Sequence, residues 1–171
     1  ALAGASPVDL QIETDDISTF VAGSEQRIVE YLCDVVARAA GSGAHLSVSL
    51  LLSRGCPGEL QCALPPGITA LAAEPPTLDP TGVQARAHWS LYPLLDGDAG
   101  ADHMTPIYQA VDRARAEAVY SGSDHYATRL DGDLASVLAT AANAWIEVGR
   151  TVQHVVTHLT ISINSPTRRT A

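Results

Sequence analysis

Tyr120-Ser-Gly-Ser-Asp-His-Tyr-Ala-Thr-Arg-Leu-Asp-Gly132 has a near-copy earlier in the same chain, Ile12-Glu-Thr-Asp-Asp-Ile-Ser-Thr-Phe-Val-Ala-Gly23. The two superpose on Asp15 with Asp124, Thr19 with Thr128 and Gly23 with Gly132. This shift of 109 positions then carries His45 to His154, Leu50 to Leu159, Ser53 to Ser162 and Pro57 to Pro166 without a gap. Apolar positions keep register as well, Ile28 with Val137, Val29 with Leu138, Leu46 with Val155 and Leu52 with Ile161. What is repeated is therefore a folding unit and not only a motif.

Working outward from the second copy, Tyr120 to Leu130 reads as a strand pair. Asp133 then caps a helix that turns Leu134, Val137, Leu138, Ala141, Trp145 and Val148 inward, and a last strand runs from His154 to Asn164. Upstream, Ala87-His-Trp-Ser-Leu-Tyr92 alternates as a strand ended by Pro93, and Thr105-Pro106 opens a helix whose stripe is Ile107, Ala110, Val111, Ala114 and Ala118. The order β-α-β-β-α-β in about eighty residues predicts the α+β, ferredoxin-like arrangement, an antiparallel sheet with two helices on one face.

Around the first copy, Val8 to Thr14 and Ile17 to Ala22 read as strands. Ser24 caps a helix carrying Ile28, Val29, Leu32, Val35, Val36 and Ala39 that Gly41-Ser-Gly43 stops, and Leu46 to Ser53 is a further strand. The expected organisation is a tandem: a partial unit over 1–58, a Pro-rich linker over 59–84 anchored by Leu60, Leu64, Ile68 and Leu71, and a complete unit over 85–171. The first unit lacks the opening strand and helix, which would leave inner strand edges unpaired. With the start at Ala1, this leads to the expectation that the natural product carries one more strand and helix at its N-terminus, or that another polypeptide supplies them.

A net charge of −9 with ten Lys and Arg gives no surface field to hold a phosphate backbone, so nucleic acid is excluded as a partner. No run approaches the ~18 apolar residues of a spanning helix, and the first residues lack the pattern of a signal peptide. Three cysteines, Cys33, Cys56 and Cys62, are too few and odd in number for a disulfide framework. A cytoplasmic protein that is not membrane-embedded is the expectation.

Alternation puts His88, Ser90 and Tyr92 on one face of their strand and His154, Val156, His158, Thr160, Ser162 and Asn164 on one face of the last. These belong to the helix-free face, which in such folds becomes an oligomer interface, a ligand floor, or both. His154 and His158 lie about 13 Å apart on a strand, too far to share a metal, and no metal ligand set is assigned. No catalytic residue is assigned either, since the chain offers no glycine-flanked serine elbow, activated cysteine or Gly-rich phosphate loop. Asp15 and Asp124 suit two roles, a turn carboxylate bonded to its own downstream backbone or a charge-assisted partner for a ring nitrogen.

Ser90-Leu-Tyr-Pro93, Ser123-Asp-His-Tyr-Ala-Thr-Arg-Leu-Asp-Gly-Asp133, Ser162-Ile-Asn-Ser-Pro166, Thr14-Asp-Asp-Ile-Ser-Thr19 and Gly55-Cys-Pro-Gly58 together resemble the YkoF family of thiamin- and hydroxymethylpyrimidine-binding proteins. The resemblance covers almost the whole chain. It implies tandem ferredoxin-like domains that form a homodimer, a small-molecule site in each domain, no cofactor, and association with a transporter in thiamin-precursor uptake or salvage. An aminopyrimidine needs donor and acceptor groups beside an apolar or aromatic wall. Ser90, Tyr92, Asp124, His125, Ser162 and Asn164 are the residues expected to supply them, with Asp15, Asp16 and Ser53 as the matching positions of the first unit. The alternatives are a small enzyme acting on a heteroaromatic compound through His125 or His158, and a structural dimer without ligand.

Overall fold

A computed structural model of the chain describes residues 9–55, 73–94, 102, 104–152 and 154–167. Cys56, Cys62, His103 and the linker anchors Leu60, Leu64, Ile68 and Leu71 lie outside the described residues. The elements run β1 (Gln11–Thr14), β2 (Thr19–Ala22), α1 (Glu25–Ala40), β3 (Leu46–Arg54), β4 (Gln84–Leu94), α2 (Met104–Ala116), β5 (Tyr120–Asp124), β6 (Ala127–Asp133), α3 (Leu134–Val148) and β7 (His154–Ile163).

The β-α-β-β-α-β order read from the sequence is present from β4 to β7, and those four strands lie as β7-β4-β6-β5 with every neighbour antiparallel. β3, which the 109-position shift equates with β7, pairs antiparallel with β7 and becomes the fifth strand of the same sheet. β1 and β2 form a hairpin sheet of their own.

α3 forms where expected because its first turn is doubly held. The Asp133 carboxylate accepts from Ala135 N at 2.8 Å, and it also accepts the main-chain N–H groups of Thr81 at 3.1 Å and Gly82 at 2.6 Å, which ties the end of the linker to the helix start. The predicted stripe Leu134, Val137, Leu138, Ala141, Trp145 and Val148 is buried, and so are Ala142, Ala144 and Ile146. The burial reaches round the helix because α1 and α2 pack against it while the sheet lies beneath. Val29, Cys33, Val36 and Ala40 form the buried stripe of α1. Each large apolar side chain taken from water here, such as Leu130, Leu159 or Ile161, contributes about 1.5–3 kcal/mol.

Three local readings are corrected. Pro93 does not end its strand: β4 continues to Leu94, with Pro93 opposite Val155 of β7. The proline is tolerated because β6 has already ended at that level, so no ladder needs its missing N–H on the other side. α2 begins at Met104, and its cap is Asp102, whose Oδ1 accepts from Met104 N and Thr105 N at 3.0 Å each. Pro106 falls in the first turn, where helical N–H groups have no intrahelical partner. Ser24 occupies the cap position of α1 without a side-chain cap bond.

One charge is buried where β3, α1 and α3 meet. The Arg54 side chain at the end of β3 reaches Glu25 of α1 at 3.0 Å, donates to the Ile146 carbonyl of α3 at 3.0 Å, and lies over the Trp145 ring at 5.6 Å. Burial pulls the guanidinium below its ordinary value, and the Glu25 carboxylate opposes that.

Candidate functional site

The helix-free face carries the polar residues that alternation places there. Across the β3–β7 seam, His45 Nε2 meets Ser162 Oγ at 3.1 Å, Ser49 Oγ meets His158 Nε2 at 3.1 Å, and Ser53 Oγ meets His154 Nε2 at 3.3 Å. Three imidazoles are thus bonded to three different hydroxyls instead of converging on one point.

Further along the same face, Asp124 at the end of β5 gathers a second cluster. Arg129 Nη1 donates to Asp124 Oδ2 at 3.3 Å and contacts His88 Nε2 at 3.3 Å. His88 Nε2 also comes within 3.7 Å of Asp124 Oδ2, and Arg129 is the charge partner of Asp124.

The third feature is a notch in the sheet. The β4–β6 ladder ends at Trp89 opposite Thr128, yet β4 runs on through Ser90–Leu94 with only β7 beside it. The β5–β6 hairpin turns back at His125 and Tyr126, with Asp124 opposite Ala127. Ser90 Oγ donates to the Tyr126 carbonyl at 3.3 Å and fixes the tip beside β4. His125 has φ 50°, the left-handed region that the first residue of a two-residue hairpin loop usually reserves for glycine. Where the strands part, one face of α2 covers the gap and leaves a cleft of about 460 Å³. Tyr92, Tyr108 and Tyr126 stand around it, 47 %, 62 % and 98 % exposed. Such concentrated exposure of aromatic rings is unusual for a surface with no partner.

Arg115, which lines the cleft, stacks over Tyr120 at 4.5 Å, and Tyr120 Oη meets the Oγ of Ser123, another lining residue, at 3.2 Å. The Ser123 hydrogen bond, then Arg115, pulls the Tyr120 phenol below its ordinary value. The cleft therefore offers aromatic faces, hydroxyls and one imidazole.

The structure brings some of the expected residues together and disperses others. Ser90, Tyr92 and His125 line the cleft, and Asp124 precedes His125 on the same hairpin. Ser162 and Asn164 lie at the opposite end of β7, where Asn164 Nδ2 donates to the carbonyls of Ala40 at 3.0 Å and Ala44 at 3.1 Å. That geometry closes the C-terminal end of α1, so the Asn164 amide nitrogen is used structurally. Ser53 is separated from Tyr92 by β7, both facing Val156. Asp15 Oδ1 accepts from Ile17 N at 2.8 Å and Ser18 N at 2.7 Å, the turn role, and the Ser18 and Ile17 bonds hold its carboxyl below the ordinary range. Asp16 is exposed in the same turn.

Sequence reasoning missed Arg129, Tyr108, Tyr126 and Arg115. Tyr126 and Arg129 stand inside the repeated motif, where the first copy has Ile17 and Phe20 instead, and that departure was the available signal. Tyr108 and Arg115, one above the other on α2, are legible only once the sheet has opened beneath the helix.

A family model described as the YKOF-related family matches residues 84–168 of the chain. YkoF of Bacillus subtilis (strain 168), named as a candidate HMP/thiamine-binding protein, is 30 % identical over 162 residues, spanning 92 % of this chain and 76 % of that protein.

Proposed function

Because the chain belongs to the YKOF-related family, we propose that it binds thiamin or the hydroxymethylpyrimidine (HMP) precursor of thiamin, in the cleft where β4 and β6 part. The observation that carries this reading is the ring of Tyr92, Tyr108 and Tyr126 around a cleft of about 460 Å³ with Ser90 and His125 at its rim. A flat heteroaromatic ligand needs π-faces to stack on and a few fixed polar groups to orient it. In the same reading the two copies are tandem ferredoxin-like domains, the protein forms a homodimer in the cytoplasm, and the ligand comes from or goes to a thiamin-precursor uptake or salvage system. Among the described residues no helix is long and apolar enough to cross a membrane.

Isothermal titration of the folded protein with thiamin and, separately, with HMP tests the reading. Saturable binding is expected for at least one of them, weakened about tenfold by Tyr126→Ala or Tyr108→Ala, the loss of one stacked ring. Absence of binding by a protein that melts cooperatively overturns it, and unchanged affinity in both variants removes the ligand from this cleft.

A further inference from the structure

We propose that the main-chain N–H and C=O of Leu91, on the open edge of β4, read the donor–acceptor edge of the ligand's aminopyrimidine ring in the way a missing strand would. This rests on the cleft being the ligand site.

The direction of those two groups follows from the ladder. Leu134 N donates to Val83 O at 2.8 Å, and Asp131 N of β6 donates to Val119 O at 2.9 Å on the β5 side. Successive residues of a strand point their N–H and C=O to opposite neighbours. Val83, Ala85, Ala87 and Trp89 therefore face β6, and Ser90 faces β7. Consistent with this, the Ser90 carbonyl accepts from Thr157 Oγ1 of β7 at 3.1 Å. Leu91 is next in the β6-facing series, but the ladder has stopped at Trp89–Thr128, and the hairpin tip is tied to Ser90 through its hydroxyl. Among the described residues no main-chain hydrogen bond reaches the open side of Leu91. Pro93, the next position of that series, has no N–H, so Leu91 is the single residue of this edge that can both donate and accept.

An amino-substituted azine presents a ring nitrogen acceptor beside an amino donor. An extended residue presents its N–H and C=O side by side, so the two edges can make a pair of parallel hydrogen bonds while the ring lies among the tyrosines. Thiamin and HMP share this edge, which makes the recognised class an aminopyrimidine regardless of what hangs from its other carbons. It also gives discrimination, because an edge built to exchange two hydrogen bonds is left unpaired by a ring without the amino group.

Amide hydrogen exchange of the full chain, with and without saturating HMP, tests the proposal, alongside titration with the HMP analogue bearing hydrogen in place of the ring amino group. In the free protein Leu91 N–H is expected to exchange at least tenfold faster than Trp89 N–H. HMP should slow it by at least tenfold, and the analogue should bind at least tenfold more weakly. Saturable binding that perturbs Tyr108 and Tyr126 while Leu91 exchange is unchanged leaves the cleft as the ligand site and overturns the Leu91 assignment. Equal affinity for HMP and the analogue overturns it as well. Absence of any saturable change overturns the cleft reading and this assignment together.

Discussion

Leu50 of β3 and Leu159 of β7, which the 109-position repeat equates, lie directly opposite one another in the sheet. The surrounding register runs out symmetrically from that pair. His45 meets Ser162 and its repeat mate His154 meets Ser53, while Ser49 meets His158, its own mate. Under the 109-position shift the bonded pair His45–Ser162 maps onto the bonded pair Ser53–His154, and the Ser49–His158 pair maps onto itself, so the seam has a local two-fold pattern centred on Leu50 and Leu159. The serine–imidazole bonds thus bridge the β3–β7 seam, and Ser53 and Ser162 serve it.

Symmetric pairing does not mean equal energetics. Leu159 is fully buried beneath α3, whereas Leu50 is only partly covered. Leu159→Ala is expected to cost about 3 kcal/mol, within the range for a core leucine, and Leu50→Ala about 1 kcal/mol. Chemical denaturation of both variants checks this. Equal losses would mean that β3 is covered as deeply as β7.

Arg54 and Gly149 are coupled by close approach. A Cβ on Gly149 would stand 2.6 Å from Arg54 Nη1 and 3.0 Å from its Cδ, so alanine there displaces the guanidinium from Glu25 and the Ile146 carbonyl. Gly149→Ala is expected to destabilise the protein by about 2 kcal/mol, and Arg54→Ala by about 3 kcal/mol because Glu25 loses its buried partner. In the Arg54→Ala background Gly149→Ala should be nearly neutral. A double-mutant cycle with additive losses would show that the two residues do not share this space.

Asp133 links acid stability to the linker. Burial raises its carboxyl, but the hydrogen bonds from Thr81, Ala135 and Gly82 outweigh that and hold it below the ordinary value. A depressed folded value means that its contribution is complete above the unfolded carboxyl range, near pH 4, and is lost as pH falls through the lower folded value. Asp133→Asn keeps a capping oxygen but turns an amide toward the Thr81 and Gly82 N–H groups. It should cost about 1–2 kcal/mol at neutral pH and flatten the stability profile below pH 4. Urea midpoints measured across that range decide it; an unchanged acid limb would assign the profile to other carboxylates.

Much of this was legible from one-dimensional patterns. The α3 stripe from Leu134 to Val148 and the alternation of His88, Ser90 and Tyr92 both express local periodicity. The errors arose where a third dimension decides. Pro93 stays in its strand because β6 ends early, a fact held by the register and not by the residues near Pro93. Asp15 and Asp124 occupy one repeat position, yet Asp15 bonds its own turn while Asp124 turns to Arg129, because the second hairpin closes one pair tighter, Asp124 opposite Ala127. Arg129 gave no periodic signal, since its meaning comes from a neighbour on another strand.

His125 sets stability against binding. A non-glycine residue at φ 50° costs about 1 kcal/mol at a hairpin tip, and strain of this kind persists where the side chain has a use. The imidazole is 87 % exposed and lines the cleft beside the Tyr126 ring, so packing does not explain it. His125→Gly is expected to stabilise the fold by about 0.5 kcal/mol, the relief of strain less the entropy that glycine adds to the unfolded chain. The same variant should weaken HMP or thiamin binding by about threefold to tenfold, the worth of one side-chain hydrogen bond. His125→Asn tolerates the left-handed backbone and retains a donor and an acceptor, so its affinity should fall between the two. Denaturation midpoints and titration calorimetry on the three proteins separate the outcomes. A stabilised glycine variant with unchanged affinity would leave His125 outside the site, and one that is not stabilised would show that the turn carries no strain for the ligand to justify.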